Sequence, residues 1–208
     1  MSTRIPFATP PMRKQPRQTR SRTTVEAIVQ AGARILGQRG WAGFTTNAVA
    51  EAAGVSIGSL YQYFPDKHAL IDAIRRKHLD DCLAAVQKPP AGKSLRQYVE
   101  QLVDDMIAVH SGNPGLHQVL LDEVSAAEGL RDPHSAFETE YLGCHANAIA
   151  HYRGGRGSAA DALTGTLVSD VLDGVIHNAV RRGELESTAV RTELVRMLLL
   201  YLTDVAGL

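Results

Sequence analysis

Apolar residues recur along this chain three and four positions apart, and nowhere in the alternation expected of a half-buried strand. Ala27, Ile28, Ala31, Ile35 and Leu36 mark one face of a first helix, with Thr23 and Glu26 spaced as a capping box at its start and Gly40 near its end. Thr45 can cap two short turns built on Val49, Ala50 and Ala53, and Gly54 stands where a left-handed residue ends a helix. Ser56 can cap a second short helix, closed by Pro65, with Leu60 and Phe64 four apart on its inner side. Asp66 opens a longer helix reaching Gln87, with Leu70, Ile71, Ile74, Leu79, Leu83 and Val86 inward.

The later part keeps the same period. After a loop at Lys88–Lys93, Ser94 and Gln97 form a capping box ahead of Leu95, Tyr98, Val99, Leu102, Met106 and Val109. Asn113-Pro114 starts a helix with Leu116, Val119, Leu120 and Val124 inward, and Asp132-Pro133 starts another with Phe137, Tyr141, Cys144, Ala148 and Tyr152. The glycines from Gly154 to Gly157 break it. Ser158 caps the penultimate helix, on Leu163, Leu167, Val171, Val175 and Val180, and Arg181-Arg182-Gly183 ends it with cations at its negative pole. The last helix carries Val190, Leu194, Met197, Leu198, Tyr201, Leu202 and Val205. An all-α fold class follows.

The two short helices between Thr45 and Pro65 cannot stand alone, because isolated helices under about 12 residues are marginal in water. They must pack on the first helix, with Trp41 and Phe44 closing the core of a three-helix unit. With Leu60 and Phe64 turned in, the second short helix is left with Ser56, Ile57, Ser59, Tyr61, Gln62 and Tyr63 for other uses. Gly58 and Ser59 keep its leading end slim, Gln62 can address a base edge through two hydrogen bonds, and tyrosine hydroxyls can donate to phosphates. Lys67 stands at the start of the next helix, where a cation beside open amides makes a phosphate site. This is the pattern of a helix-turn-helix that enters a DNA major groove.

Those residues resemble the DNA-binding motif of TetR-type transcriptional regulators. The resemblance rests on Thr45-Thr46, Ala53-Gly54-Val55-Ser56, Gly58, Leu60-Tyr61, Tyr63-Phe64 and Lys67 with Leu70, and covers the first third of the chain. It implies that Thr46, Tyr61, Tyr63 and Lys67 hold phosphates, while Asn47, Ile57, Gly58, Ser59 and Gln62 face base edges. Ile57 is a departure, since an apolar side chain reads a thymine methyl and cannot hydrogen-bond a base.

Formal charge over the 208 residues is zero, but it is unevenly placed. Residues 1–78 hold 12 Lys+Arg against 4 Asp+Glu, a net of +8, and residues 79–208 hold 10 against 18, a net of −8. The basic part contains the helix-turn-helix. The expected organisation is a basic, disordered arm at 1–22, a DNA-binding domain at 23–68 and a helical ligand-binding and dimerisation domain at 69–208. The arm can stay solvated or lie along DNA. The helix from Lys67 would join the two domains, as a lever for a switch.

Cys82 and Cys144 form no ligand motif, and a reduced cytoplasmic protein is the simpler inference. No apolar run is long enough to span a bilayer. His145 and His151 point to different sides of one helix, and Asp173 and His177, four apart, read as a surface pair rather than a catalytic dyad. No catalytic, metal or cofactor site is expected. The final two helices are apolar over more than one stripe, which asks for two neighbours, and a second copy packed through Leu167, Val171, Val175, Leu194, Leu198 and Tyr201 would supply one. Leu102, Met106, Leu120, Phe137, Tyr141 and His145 have the mixture expected of an effector pocket between helices.

The reading is a homodimeric regulator, more in keeping with a repressor, released from a pseudo-palindromic double-stranded operator by a small-molecule effector. Two alternatives stand beside it. One is an all-helical carrier or enzyme in which the tyrosines line a cavity; the other is an effector-free binder with little sequence preference.

Overall fold

The computed structural model describes residues 19–87, 92–116, 119–120, 136–155 and 157–206. Every regular element among them is helical. We number eight helices: α1 Thr19–Gly43, α2 Thr46–Ala52, α3 Ile57–Tyr63, α4 Lys67–Val86, α5 Leu95–Ser111, α6 Ala136–Tyr152, α7 Ala159–Arg182 and α8 Thr188–Ala206. Leu116, Val119 and Leu120 are also helical and buried. The expected helix starts at Asp132-Pro133 and position Val124 lie outside the described residues, as does most of the loop after Gln87.

Two compact units divide the chain, residues 1–77 and 78–208, with the division inside α4. In the first unit, α1 buries Ile28, Leu36 and Ile35, and Phe44, Val49, Leu60, Phe64, Leu70 and Ile74 are buried with them. Gly40 interrupts α1 with φ +63°, a left-handed conformation that glycine adopts without steric cost. One expectation fails here. α1 begins at Thr19, four residues before Thr23, so Thr23 and Glu26 lie inside the helix and do not cap it, and residues 19–22 belong to the helix rather than the arm. Nothing between Thr19 and Thr23 breaks a helix, and α1 continues through them. Residues 1–18 lie outside the described residues.

In the second unit, α5, α6, α7 and α8 share a core of Val99, Leu102, Val103, Met106, Tyr141, Leu172, Ile176, Leu194 and Leu198. The α6–α7 crossing is close enough that a side chain at Gly165 would meet the Ala146 backbone nitrogen at 2.8 Å. α5 and α8 are tied by a two-pronged Arg191–Asp104 ion pair, 2.7 Å at its longer arm. The expected capping box of Ser94 with Gln97 forms, and Ser158 makes a second with Asp161. α4 differs from its expected inner face. Leu79 and Leu83 are only half-buried, and His78, Cys82 and Ala85 point inward in their place, beside Val86 as expected.

Candidate nucleic-acid interface

The turn between α2 and α3 is held by backbone bonds. Thr45 caps α2, its hydroxyl accepting from Ala48 N at 3.2 Å. At the other end Gly54 N donates to Glu51 O at 3.1 Å and Val55 N to Ala50 O at 3.0 Å, a pairing closed by the left-handed Gly54 at φ +66°. Ser56 then caps α3, accepting from Ser59 N at 3.1 Å, and its hydroxyl meets that of Ser59 at 2.8 Å. With both helices fixed at their ends, Leu60 and Phe64 lock α3 to its unit at 0% exposure each.

What faces outward is the predicted edge. Ile57 is 38% and Tyr61 41% exposed. Asn47, Ser56, Gly58 and Gln62 are exposed as well, while Thr46, Ser59, Tyr63 and Lys67 are half-buried. Tyr61 Oη and Thr46 Oγ1 lie 3.0 Å apart, so α2 and α3 present one joined pair of hydroxyls. An enclosed cavity built on Tyr61, as a carrier would need, is at odds with that exposure.

Lys67 is less simple than the sequence suggested. Its Nζ donates to Trp41 O at 3.1 Å and sits 3.4 Å from the centre of the Trp41 ring. Partial burial lowers its pKa from the ordinary lysine value. An ammonium has three N–H donors, so the bond to Trp41 does not exhaust it, and the ring contact aims the charge. Trp41 itself is half-buried rather than core, stacked on Phe44 with centroids 6.3 Å apart. Nothing in the local sequence assigns Trp41 to the site. The signal was a tryptophan next to a glycine bend, which by itself does not point to Lys67.

Residues 22–74 match the family described as bacterial regulatory proteins of the tetR family, and residues 94–202 match the tetracyclin repressor-like C-terminal domain. The chain belongs to the TetR family. It is a DNA-binding transcriptional regulator with an amino-terminal helix-turn-helix unit and a helical carboxy-terminal unit. It is 27% identical over 119 residues to the HTH-type transcriptional regulator UidR of Escherichia coli K12, covering 57% of this chain and 58% of that one. It is 30% identical over 98 residues to the HTH-type transcriptional repressor KstR2 of Rhodococcus jostii RHA1, covering 47% and 48%. These matches thus span about half the length of the relatives. Among solved structures, a TetR-family transcriptional regulator from Streptomyces coelicolor shares the fold with TM-score 0.61, 23% identity and coverage of 88% and 99%. The fatty acid degradation regulator FadR from Bacillus halodurans does so with TM-score 0.65, 17% identity and coverage of 91% and 98%.

In the second unit of this TetR-family chain, the expected pocket residues fall mostly together. Leu102, Met106 and Tyr141 share one core, Phe137 packs on it, and His145 meets the Tyr141 ring edge-on at 5.1 Å. Leu120 is buried. His145 is 1% exposed, and burial drives its pKa down to about 4. The expected dimer residues divide. Leu167 is 41% exposed and Val171, Val175 and Tyr201 are half-buried, but Leu194 and Leu198 are 2% exposed and face their own core. The outward apolar residues of α8 are Met197 and Leu200, on a different side of the helix from that inner stripe. Leu163 joins Leu167 on α7, at 63% exposure. No described helix is long and apolar enough to cross a membrane.

Proposed function

We infer that this TetR-family chain is a homodimeric cytoplasmic repressor that reads a pseudo-palindromic operator in double-stranded DNA and leaves it when a small-molecule effector binds the second unit. The observation that carries the reading is the outward edge of α3, where Ile57, Tyr61 and Gln62 face solvent while Leu60 and Phe64 hold the helix from behind. Inserted in a major groove, Gln62 would address an adenine through two bonds and Ile57 a thymine methyl, with Asn47, Gly58 and Ser59 beside them. The Tyr61–Thr46 pair, Tyr63, Ser56 and Lys67 would take phosphates, which position the protein without specifying sequence.

Dimerisation is supported by apolar surface on the last two helices. Leu163 and Leu167 on α7 and Met197 and Leu200 on α8 are large, apolar and exposed. Met197 and Leu200 also help line an open groove of about 770 Å³ with Val175, Val190 and Tyr201. Apolar surface of this kind on a soluble domain marks an interaction site, and a two-fold pairing would present two copies of α3 to two half-sites. An effector is supported by two buried polar atoms, Tyr98 Oη and His145 Nε2, which have no hydrogen-bond partner among the described residues. Polar groups in an apolar interior are what a ligand with its own donors and acceptors would satisfy. The ligand shifts operator binding only by its differential affinity for the bound and released states. The repressor named KstR2 is consistent with the sign of regulation.

Selection of bound sequences from a random DNA pool, followed by gel shift, tests the reading. The double variant Tyr61→Phe with Gln62→Ala should lose about 10- to 100-fold in operator affinity, as base and phosphate contacts of about 1–3 kcal/mol would require. Lys67 is left in place because its removal would also disturb Trp41. Wild-type affinity should fall steeply with salt. Unchanged operator affinity in a folded, dimeric double variant sinks the assignment.

A further inference from the structure

The sequence offers no metal motif, yet the fold of the second unit collects one thiol and three imidazoles from three helices. His78 and Cys82 stand four apart on α4 and so share a face, with Cys82 Sγ 3.8 Å from His78 Nε2. His110 comes from α5, and one ligand atom from each of His78, Cys82 and His110 lies within 4.8 Å of the others. All three residues are buried. His177, on α7, brings its Nε2 to 3.2 Å from His110 Nε2.

His78, Cys82 and His110 are gathered closely enough for an ion to draw them together, and His177 stands outside that trio, next to His110. Metal–nitrogen distances near 2.0–2.1 Å in a tetrahedron put two imidazole nitrogens about 3.3 Å apart, and a thiolate sulfur about 3.5 Å from a nitrogen. The His110–His177 separation already matches, the Cys82–His78 pair must close by a few tenths of an ångström, and His177 must turn toward His78 and Cys82 to share the ion. His110 is also oriented as a ligand. Its Nδ1 lies 2.8 Å from Met106 O, so Nδ1 carries the proton and donates, which turns the lone pair of Nε2 toward His177. A backbone carbonyl behind an imidazole is the usual outer support of a metal-bound histidine.

We propose that His78, Cys82, His110 and His177 form a binding site for one divalent transition metal ion of borderline softness, of the zinc class. Three neutral imidazoles and one thiolate suit that class and disfavour magnesium or calcium, which prefer oxygen. Without an ion the thiol is protonated, since burial first, then the charges of Asp173 and Asp81, push Cys82 up to about 12. Binding therefore breaks the S–H bond, sends that proton to solvent and forms the sulfur–metal bond with no change of oxidation state. Burial also holds His110 in its neutral, ligating form. A divalent ion with one thiolate leaves a single positive charge in the interior, and Asp173, whose charge acts on Cys82, offsets it. The site does not depend on the DNA-binding reading.

The same atoms could instead be satisfied as a hydrogen-bonded relay from His177 through His110 to Met106 O, and metal titration separates the two. Full-length protein, stripped with a chelator, is loaded with Co(II) and with Zn(II) and passed through gel filtration. The expected result is retention of about one ion per chain and, with Co(II), the intense tetrahedral visible bands together with a thiolate-to-cobalt charge-transfer band. Cys82→Ser should abolish the charge-transfer band, His110→Gln with His177→Gln should abolish retention, and Cys144→Ser should leave both intact. Circular dichroism and melting of each apo variant establish that it is folded. No retention by wild-type protein, or a charge-transfer band that survives Cys82→Ser, overturns the proposal.

Discussion

The two units place their chemistry on opposite sides of their surfaces. In the first, the core is apolar and the polar groups Tyr61, Gln62 and Thr46 stand at the outer edge of two short helices. In the second, His78, His110, His145 and Cys82 are turned inward, and large apolar residues such as Leu163 and Leu200 are turned out. The first arrangement suits a module whose partner is a charged polymer in water. The second is the arrangement on which the proposed effector and dimer rest. Interior polar groups are costly unless satisfied, and in the second unit Tyr98 Oη and His145 Nε2 lack a partner among the described residues, whereas a polar edge at the surface can be satisfied by water.

The comparison can be broken by substitutions on either side. Phe44 is fully buried in the first unit, and Phe44→Ala should cost about 3–5 kcal/mol by urea denaturation, against within about 0.5 kcal/mol for Tyr61→Ala on its exposed edge. If the two cost the same, the division into an apolar core and a free reading edge is wrong.

Acid should act on the second unit through His145. Its folded pKa, about 4, lies below the ordinary value of 6.5, so the unfolded chain takes up a proton that the folded chain refuses. Stability from this group is whole above 6.5 and is lost as pH falls toward 4, by up to about 3 kcal/mol. His145→Leu should flatten that part of the slope when denaturation is compared at about pH 7 and about pH 4.5. An unchanged slope would place His145 nearer water than its burial implies.

Smaller effects sharpen the contrast. Gly165→Ala puts a methyl against the Ala146 backbone and should lower the melting point, at a cost of about 1–3 kcal/mol, by prising α7 from α6. Ser56→Ala removes the α3 cap and should cost about 1 kcal/mol. Operator affinity should fall in the Ser56 variant and hold in the Gly165 variant at temperatures where both remain folded.

Local signals were enough for the helix-turn-helix. Thr45, Gly54, Ser56 and Asp66 act on backbone groups within four residues, and each one caps or turns the chain as its residue type predicts. The same holds for the capping box at Ser94. A local pattern also misled where the neighbouring residues allowed another outcome, as at Thr23, whose capping spacing with Glu26 was overrun by a helix already under way from Thr19.

The sequence alone determined that this chain is helical, where most helices begin and end, that positive charge gathers in its first third, and which face of α3 carries polar groups. Those properties depend on neighbours a few positions away. The tertiary structure decided that Leu194 and Leu198 turn inward while Met197 and Leu200 turn out, that Lys67 rests on Trp41, that His78, Cys82 and His110 converge, and that His177 meets His110. A helix with more than one apolar stripe does not say which stripe its own core will take. Groups as far apart in sequence as His110 and His177 meet only when packing sets the rotation of each helix about its axis, and no local spacing encodes that angle.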